Sequence, residues 1–256
     1  MRWIVGGAQG QNRRVPDAIF DDPRLAQVYD PLDPDRSDLD VYVDLVSELG
    51  ACSVLDVGCG TGTFACMLAR RGIHVTAVDP AGASLDVARV KPDAHAVDWL
   101  LGDATTLPAL SVDAAFMTAN VAQVFLTDDD WSATLRGIRS ALRPRGMLVF
   151  ETRDPARRAW ERWTPDLTRT SVDVLGVGVV ESWEEVTAVD LPLVTFRSIT
   201  AFHRDDLVVE SLSTLRFRER SEVERSLVRE GFELTEIRDA PDRPGREFVF
   251  LSRRAT

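Results

Sequence analysis

A glycine-rich turn between a short apolar segment and a helical segment is the feature that most constrains how this chain folds. The turn lies within Val54 to Thr63, which reads VLDVGCGTGT and contains Gly58, Gly60 and Gly62. Glycine lets the backbone turn sharply and approach a ligand closely. The amino terminus of the following helix offers free amide donors and positive potential. The segment therefore predicts a strand, a tight loop and a helix, with a polar or anionic ligand group bound at the loop.

The spacing of the glycines argues against a nicotinamide dinucleotide site. In that fingerprint the third glycine comes three residues after the second. Here that position is Thr63, because the third glycine already stands at Gly62. The glycine spacing therefore disfavours a nicotinamide-dependent oxidoreductase.

Short apolar segments alternate with helical patterns over the amino-terminal part of the chain. The predicted strands are 53–57, 74–78, 96–101, 112–117 and 147–151, and the predicted helices are 37–49, 64–70, 84–90 and 131–142. Strands that alternate with helices in this way indicate a parallel sheet with helices on both faces.

The alternation stops after Asp154. Long apolar segments at 177–189, 193–203 and 207–217 predict an antiparallel insertion. A helix at 221–230 and two strands at 232–239 and 247–252 then close the chain. The pairs that have the spacing of capping boxes are Ser37 with Asp40 and Ser221 with Glu224.

Charge and composition narrow the choice of partners. The net charge is −11, and the hydrophobic share of 45% and charged share of 28% are ordinary for a globular protein. An acidic chain repels a phosphate backbone, so nucleic acid is disfavoured as a substrate. Cys52, Cys59 and Cys66 lack metal-ligand spacing, which offers no metal site and fits a reducing cytoplasm. No apolar stretch suggests a signal peptide or a membrane partner.

The glycine motif resembles the first motif of the class I S-adenosylmethionine-dependent methyltransferases, in which an acidic residue precedes alternating glycines. Asp56, Gly58, Gly60 and Gly62 match that motif. The resemblance extends in order from about Tyr29 to Ser252. Further along the chain it rests on Asp79 at the end of the second strand, Asp103 after Gly102, and Thr118-Ala119-Asn120 after the fourth strand.

This resemblance implies an α/β fold with a Rossmann-like seven-stranded sheet. The sheet would be mostly parallel, with an antiparallel last strand, helices on both faces and the antiparallel insertion after the fifth strand. A catalytic domain that binds S-adenosylmethionine would comprise 37–155 and 220–256. Residues 1–36 would be an amino-terminal leader or lid, either mobile or ordered on binding. The insertion at 156–219 would be a substrate lid or an oligomer contact, which allows a homodimer.

The resemblance also implies where the nucleoside part of S-adenosylmethionine binds. Asp79, with Pro80 beside it, would accept hydrogen bonds from both ribose hydroxyls. Asp103 and the amide of Ala104 would hold the adenine. The alternative for either aspartate is a helix cap or a solvated loop residue, so the interpretation depends on their distances from the glycine loop.

The methionine part of S-adenosylmethionine is expected beside Asp56 and the backbone near Thr118. Tyr29 resembles a tyrosine that related small-molecule methyltransferases lay over this part. A sulfonium close to an aromatic face gains on the order of 1 kcal/mol from cation–π attraction. Simple packing of Tyr29 is the alternative, and Arg36 is a weaker candidate for the cofactor carboxylate.

Glu151 and Asn120 are the favoured groups nearest the transferred methyl. A general base is needed only when the acceptor is a hydroxyl or a protonated amine. The less favoured groups around the acceptor, for which packing or surface roles compete, are Gln123, Arg153, Trp160, Trp163 and His203.

The expected function is transfer of a methyl group from S-adenosylmethionine to an O or N atom of a small-molecule acceptor, with S-adenosylhomocysteine as the product. One alternative is a protein that binds S-adenosylmethionine without catalysis. Another is methylation of a protein or a nucleic acid.

Overall fold

A computed structural model of the chain describes residues 2–6 and 16–256. The α-helices are α1 (Ala18–Asp21), α2 (Pro23–Leu32), α3 (Asp40–Glu48), α4 (Thr63–Ala69), α5 (Gly82–Arg89), α6 (Asp128–Ala141), α7 (Pro165–Thr168) and α8 (Arg220–Arg229). The strands are β1 (Arg2–Gly6), β2 (Ser53–Val57), β3 (His74–Asp79), β4 (Val97–Leu101), β5 (Val112–Met117), β6 (Leu142–Arg153), β7 (Thr170–Val174), β8 (Gly178–Asp190), β9 (Leu193–Phe202), β10 (Leu207–Arg216), β11 (Phe232–Asp239) and β12 (Glu247–Arg254). None of the helices within these described ranges has both the length and the apolarity needed to cross a membrane.

A seven-stranded sheet forms the centre of the molecule, in the order β11-β12-β6-β5-β2-β3-β4. Strands β2 to β6 run parallel, and β12 runs antiparallel between β6 and β11. The predicted α/β fold with an antiparallel last strand is therefore confirmed. The chain leaves β2 towards β3 and β4 and returns to β5 on the other side of β2. Such a switch point opens a cleft at the carboxyl ends of the strands.

The second sheet has the order β1-β10-β9-β8-β7. Its strands β7 to β10 are antiparallel and follow β6, the fifth strand of the large sheet, which agrees with the predicted insertion. The sequence patterns did not indicate β7 or β1. Strand β1 joins the edge of this sheet parallel to β10, so the amino terminus is tied to the insertion.

Both faces of the central sheet are covered by apolar side chains. On β5, Ala115 and Met117 belong to one buried cluster, which includes side chains of α6 and α8. Ala114 and Phe116 belong to the opposite cluster, which includes side chains of α3 and α4. This alternation is the period of a strand, and burial on both faces explains why β5 is almost wholly apolar.

The expected leader at 1–36 lies partly outside the described residues, but its second half is ordered and packed. Helix α2 buries Leu25 and Val28 against the second sheet, beside Val180 and Phe202. Helix α1 precedes it within the same segment. The apolar spacing that produces this contact spans only one short helix, so it did not stand out among the polar residues around it.

The two predicted capping boxes were wrong. Helix α3 begins at Asp40 after a 3-10 turn at Ser37–Leu39, and no side chain caps its first turn. Helix α8 begins at Arg220, one residue before Ser221, and Glu224 pairs with Arg220 at 2.7 Å instead. A capping box requires an extended backbone at the first residue, and the spacing of residue types does not reveal that conformation.

Candidate functional site

The glycine loop joins β2 to α4 at the carboxyl edge of the central sheet. Gly58, Gly60 and Gly62 have φ values of +74°, +52° and +76°, a region that L side chains rarely adopt. A Cβ on Gly58 would lie 2.7 Å from the Val121 side chain, and one on Gly62 would overlap the Trp99 ring. Within the described part of the chain, no atom lies within 4 Å of a Cβ placed on Gly60. The loop is therefore tightly packed at its ends and open at its centre.

The Asp79 carboxylate connects this loop to the neighbouring strand. Its Oδ2 accepts a hydrogen bond from the amide of Gly60 at 2.8 Å, and its Oδ1 accepts one from the amide of Ala81 at 2.8 Å. Burial raises the pKa of Asp79, and these two amides oppose that shift. The exposed Pro80 follows directly. Each carboxylate oxygen has a second lone pair, so Asp79 retains acceptor capacity toward a ligand.

Asp103 lies beside Asp79 at the adjacent strand end. The amide of Gly102 donates to the backbone carbonyl of Asp79 at 3.0 Å, which brings the two strand ends together. Asp103 Oδ1 accepts hydrogen bonds from the Thr105 amide at 2.7 Å and from the Thr105 hydroxyl at 2.6 Å. Ala104 is buried. The two aspartates and the glycine loop therefore line one cleft, which we call the cofactor cleft.

Asp56, near the end of β2, has a buried carboxyl group that the described residues leave without a hydrogen-bond partner. Its side chain is 1% exposed, and neither carboxylate oxygen accepts a hydrogen bond from any residue that the structure describes. Burial, with a smaller contribution from the charge of Asp79, raises its pKa to about 7. A buried acceptor left without a partner is costly, so this carboxyl group is suited to a ligand that brings a cationic donor.

The turn after β5 holds the next predicted residues. Thr118 is buried, and Ala119 and Asn120 both adopt positive φ, at 54° and 61°. This turn directs the amide of Asn120 to Glu151 Oε1 at 3.0 Å. The Asn120 side-chain nitrogen lies 3.4 Å from both carboxylate oxygens of Glu247. A residue of the turn after β5, one of β6 and one of β12 thus meet at the same sheet edge.

Two buried glutamates and two arginines lie together beyond this turn. Burial, and then the charge of Glu247, raises the pKa of Glu151 to about 8. Glu247 accepts a hydrogen bond from Arg243 at 2.8 Å and lies 3.7 Å from Arg153 Nε. Arg153 also donates to the side-chain carbonyl of Gln123 at 3.0 Å. Burial therefore favours the neutral form of Glu151 near neutral pH, and the ionised form that can accept a proton grows as the pH rises.

Helix α2 is fastened to the glycine loop through a polar network. Asp30 Oδ1 accepts a hydrogen bond from the Thr61 hydroxyl at 2.6 Å, and Asp30 Oδ2 pairs with Lys91 at 2.6 Å. Lys91 also donates to the Thr63 hydroxyl at 2.8 Å. Tyr29, the residue before Asp30, therefore lies next to the loop.

Tyr29 packs near Phe20, with ring centroids 5.9 Å apart. Burial raises the pKa of its hydroxyl, and the neighbouring charges include Arg36 and Glu184. Arg36 is itself paired with Asp38 at 3.2 Å. The tyrosine therefore packs on Phe20 of helix α1, with Glu184 of the second sheet among the charges that act on it.

The remaining predicted residues are two tryptophans that pack near Phe217 and one histidine at the surface. Trp160 is buried edge-on against Phe217, at 4.6 Å between centroids, and Trp163 lies 6.0 Å from the same ring. His203 is half exposed, with Glu181 at 3.6 Å. The tryptophans thus pack together as one group, while His203 lies on the outer part of the second sheet.

The sequence interpretation missed a second group of residues at this edge, which are Asp30, Thr61, Lys91, Arg243 and Glu247. Lys91 offered a signal, because it is the single lysine of the chain. The others had none, since their partners lie far away in the sequence.

Comparison with known proteins places residues 54–146 in a family described as "Methyltransferase domain". Over 179 residues the chain is 34% identical to a malonyl-[acyl-carrier protein] O-methyltransferase from Serratia marcescens. The matched segment covers 68% of this chain and 61% of that protein. The chain spans less than two thirds of the length of the curated relatives it matches.

Two solved structures show the same fold. An S-adenosylmethionine-dependent methyltransferase from Clostridium acetobutylicum has a TM-score of 0.71 at 16% identity, covering 91% of this chain and 98% of that chain. A sugar N-methyltransferase from a Streptoalloteichus species has a TM-score of 0.72 at 19% identity, covering 98% of this chain and 99% of that chain.

Proposed function

We propose that this chain, whose residues 54–146 match a family described as "Methyltransferase domain", is a class I methyltransferase that transfers the methyl group of S-adenosylmethionine to an O or N atom of a small molecule. The observation that carries the proposal is the partnerless, buried Asp56 carboxyl group beside a glycine loop that is open at Gly60. A cationic ligand group fits the first feature, and close backbone contact fits the second.

In this proposal the nucleoside binds along the strand ends. Asp79 holds the ribose hydroxyls with its free lone pairs, with Pro80 beside it, and also keeps Gly60 in place through the 2.8 Å hydrogen bond. Asp103 and the amide of Ala104 hold the adenine. Because the two aspartates occupy neighbouring strand ends, one flat nucleoside can reach both.

The methionine part lies at the other end of the cleft. Asp56 attracts the ammonium group, together with backbone carbonyls near Thr118. Tyr29 covers this part, because Asp30 fixes helix α2 to Thr61 in the glycine loop. Ionisation of Asp56 then accompanies binding, since a neighbouring cation lowers the pKa of a carboxyl group.

Bound S-adenosylmethionine supplies an activated methyl group with a neutral leaving group. The residues of the chain therefore mainly align the acceptor, and alignment can contribute about 7–11 kcal/mol in well-oriented systems. Asn120 and Glu151 are the groups that we place nearest the acceptor atom. When ionised, Glu151 takes the proton from a hydroxyl or ammonium acceptor; when protonated, it donates a hydrogen bond instead.

We also propose a cytoplasmic location and a homodimer formed through the insertion. All three cysteines are free thiols, which supports a reducing compartment. Leu175 and Val179, at the turn from β7 to β8, are exposed apolar side chains that a second copy can cover. Light scattering on the wild type and on Leu175→Asp tests the dimer, which the variant should lose.

Calorimetry with S-adenosylmethionine tests the proposed function. We expect one site in the wild type and at least a 30-fold loss of affinity in Asp79→Ala, because hydrogen bonds to a charged group contribute about 1.5–3 kcal/mol each. Asp98→Ala, an exposed aspartate on β4, is the matched control and should bind like the wild type.

A panel of hydroxyl and amine acceptors, with release of S-adenosylhomocysteine as the readout, tests transfer itself. Binding without turnover on the whole panel would favour the non-catalytic alternative. Failure of the wild type to bind S-adenosylmethionine would refute the proposal altogether.

A further inference from the structure

A cavity of about 700 Å³ lies between the central sheet and the insertion, where Arg153 at the end of β6 and Glu247 at the start of β12 line it. This volume is within the range of small-molecule sites. We call it the arginine cavity, because its lining includes Arg153, Arg157, Arg158, Arg162, Arg243 and Arg246. These arginines come from the end of β6, from the segment that follows it, and from the turn before β12.

The cavity has the opposite charge to the protein as a whole. The chain carries a net charge of −11, yet six arginines and only three glutamates line this one space. Two of the glutamates are already paired, Glu161 with Arg158 at 2.9 Å and Glu247 with Arg243 at 2.8 Å. The third, Glu184, has its pKa raised by burial, which favours its neutral form.

Several of the arginines have no strong partner of their own. Within residues 16–256, no carboxylate forms an ion pair with Arg162 or Arg246. The carboxylate nearest to Arg157 is Asp154, at 3.7 Å. Like charges that face one space repel one another unless an anion lies between them. A planar guanidinium group matches the two oxygens of a carboxylate or phosphate.

The spacing of Glu151 and Arg153 on β6 gives the distance between the proposed reacting atom and the cavity. Glu151 and Arg153 are two residues apart on β6, so their side chains project from the same face of the sheet. That separation is about 7 Å along a strand. Glu247 lies opposite Arg153 in the strand pairing and lines the cavity, and its carboxylate lies 3.4 Å from the Asn120 side-chain nitrogen, so one residue contacts both the cavity and the proposed acceptor group.

The cavity also has an apolar wall. Trp163 and Leu167 line it, and the Arg153 guanidinium carbon lies 5.5 Å from the centre of the Trp163 ring. A ligand with an organic body and an anionic end fits such a lining better than a simple ion does.

From this geometry we propose that the methyl acceptor is an anionic small molecule, whose carboxylate or phosphate group binds in the arginine cavity about 7 Å or more from the methylated atom. The inference rests on the proposed function, and it adds the substrate class to it. Arg162 and Arg246 bind the anionic group, and Arg153 determines how far it lies from Glu151.

The test uses the full-length protein saturated with S-adenosylhomocysteine and two probes, malonate and inorganic pyrophosphate, each titrated by calorimetry. We expect at least one probe to bind, with an affinity that falls at high salt because exposed charges are screened. The tighter probe distinguishes a carboxylate acceptor from a phosphate acceptor. In the double variant Arg162→Gln/Arg246→Gln the affinity should fall at least tenfold, whereas Arg225→Gln, an exposed arginine on α8, should have no effect.

With an active acceptor from the panel, the double variant should raise KM at least tenfold while kcat changes less than twofold. Failure of both probes to bind, or equal binding in wild type and double variant, would overturn the inference. The proposed function would survive that result, because S-adenosylhomocysteine binding is measured separately on the same protein. Absence of S-adenosylhomocysteine binding would instead refute the proposed function.

Discussion

The cofactor cleft is lined by carboxylates and backbone amides, whereas the arginine cavity beside it is lined by guanidinium groups. The aspartates of the cleft lie at or just after the ends of the central strands β2, β3 and β4, between Asp56 and Ala104. Those of the cavity come from distant segments, near Arg153, Glu184 and Arg243. A cleft built from strand ends depends on the fold, while a cavity built from long side chains can change its ligand with few substitutions. In the proposed function, donor and acceptor recognition are thus physically separable.

The largest expected effect concerns the boundary between the two regions. Glu151→Gln should lower kcat about 100-fold or more, because general-base catalysis contributes about 10²–10⁴-fold. Since the pKa of Glu151 is raised to about 8, wild-type kcat should rise as the pH increases through 8, and the variant should lose that rise. A pH series of initial rates with an active acceptor measures both the lower kcat of the variant and the loss of its rise with pH.

Glu233→Gln, an exposed glutamate on β11, serves as the control for Glu151→Gln and should leave the profile intact. A Glu151→Gln variant with unchanged kcat would remove Glu151 from the acceptor site.

The second effect tests whether S-adenosylmethionine binding in the cleft depends on close approach to the backbone of the glycine loop. Gly60→Ala should weaken S-adenosylmethionine binding at least tenfold, because its Cβ would occupy the open space above the loop. The strain of an alanine at positive φ costs about 1–2 kcal/mol. Gly72→Ala has the same backbone strain, at φ +79°, but lies after α4 and away from the cleft.

Thermal unfolding and calorimetry separate the two contributions of Gly60→Ala. Both glycine variants should lose similar stability, and only Gly60→Ala should lose affinity. Equal affinity in the two variants would show that the ligand does not approach Gly60.

The third effect is a pH dependence that only the cleft should show. Only ionised Asp56 attracts an ammonium group, so affinity for S-adenosylmethionine should rise about tenfold between pH 6 and pH 8 as the group titrates through about 7. The free protein should show the opposite trend. Because the folded-state pKa of Asp56 lies above the usual aspartate value of about 3.8, the free energy of unfolding falls as the pH rises from about 4 to about 7.

Asp56→Asn should flatten both pH trends, and Asp44→Asn, an exposed aspartate on α3, should leave both unchanged. An affinity that does not vary with pH in the wild type would contradict the role of Asp56.

The smallest effect concerns the connection between the regions. Lys91→Met removes a partly buried ion pair with Asp30, and ion pairs that still reach solvent contribute about 1 kcal/mol or less. Affinity for S-adenosylmethionine should fall about two- to fivefold, and amide hydrogen exchange in α2 should accelerate. Arg89→Met, which breaks the exposed pair with Asp86, is the control and should change neither. Unchanged exchange in Lys91→Met would show that packing alone holds α2.

The contrast between the regions also explains what the sequence could predict. The glycine loop and the strands around it were predictable, because glycine at fixed spacing and apolar segments act locally. The ion pairs of Lys91 with Asp30 and of Glu247 with Arg243 were not, since each depends on packing that brings separate segments together. Strand β7 was missed because most of its side chains are exposed, so its composition does not differ from that of a loop.

Helix α2 contacts both the insertion and the glycine loop, and this has a consequence for ligand binding. Its apolar face packs on the second sheet, while Asp30 binds Thr61. Any movement of the insertion when acceptor enters also moves the cover of the donor. Binding of the acceptor and binding of the proposed donor are therefore expected to depend on each other through α2.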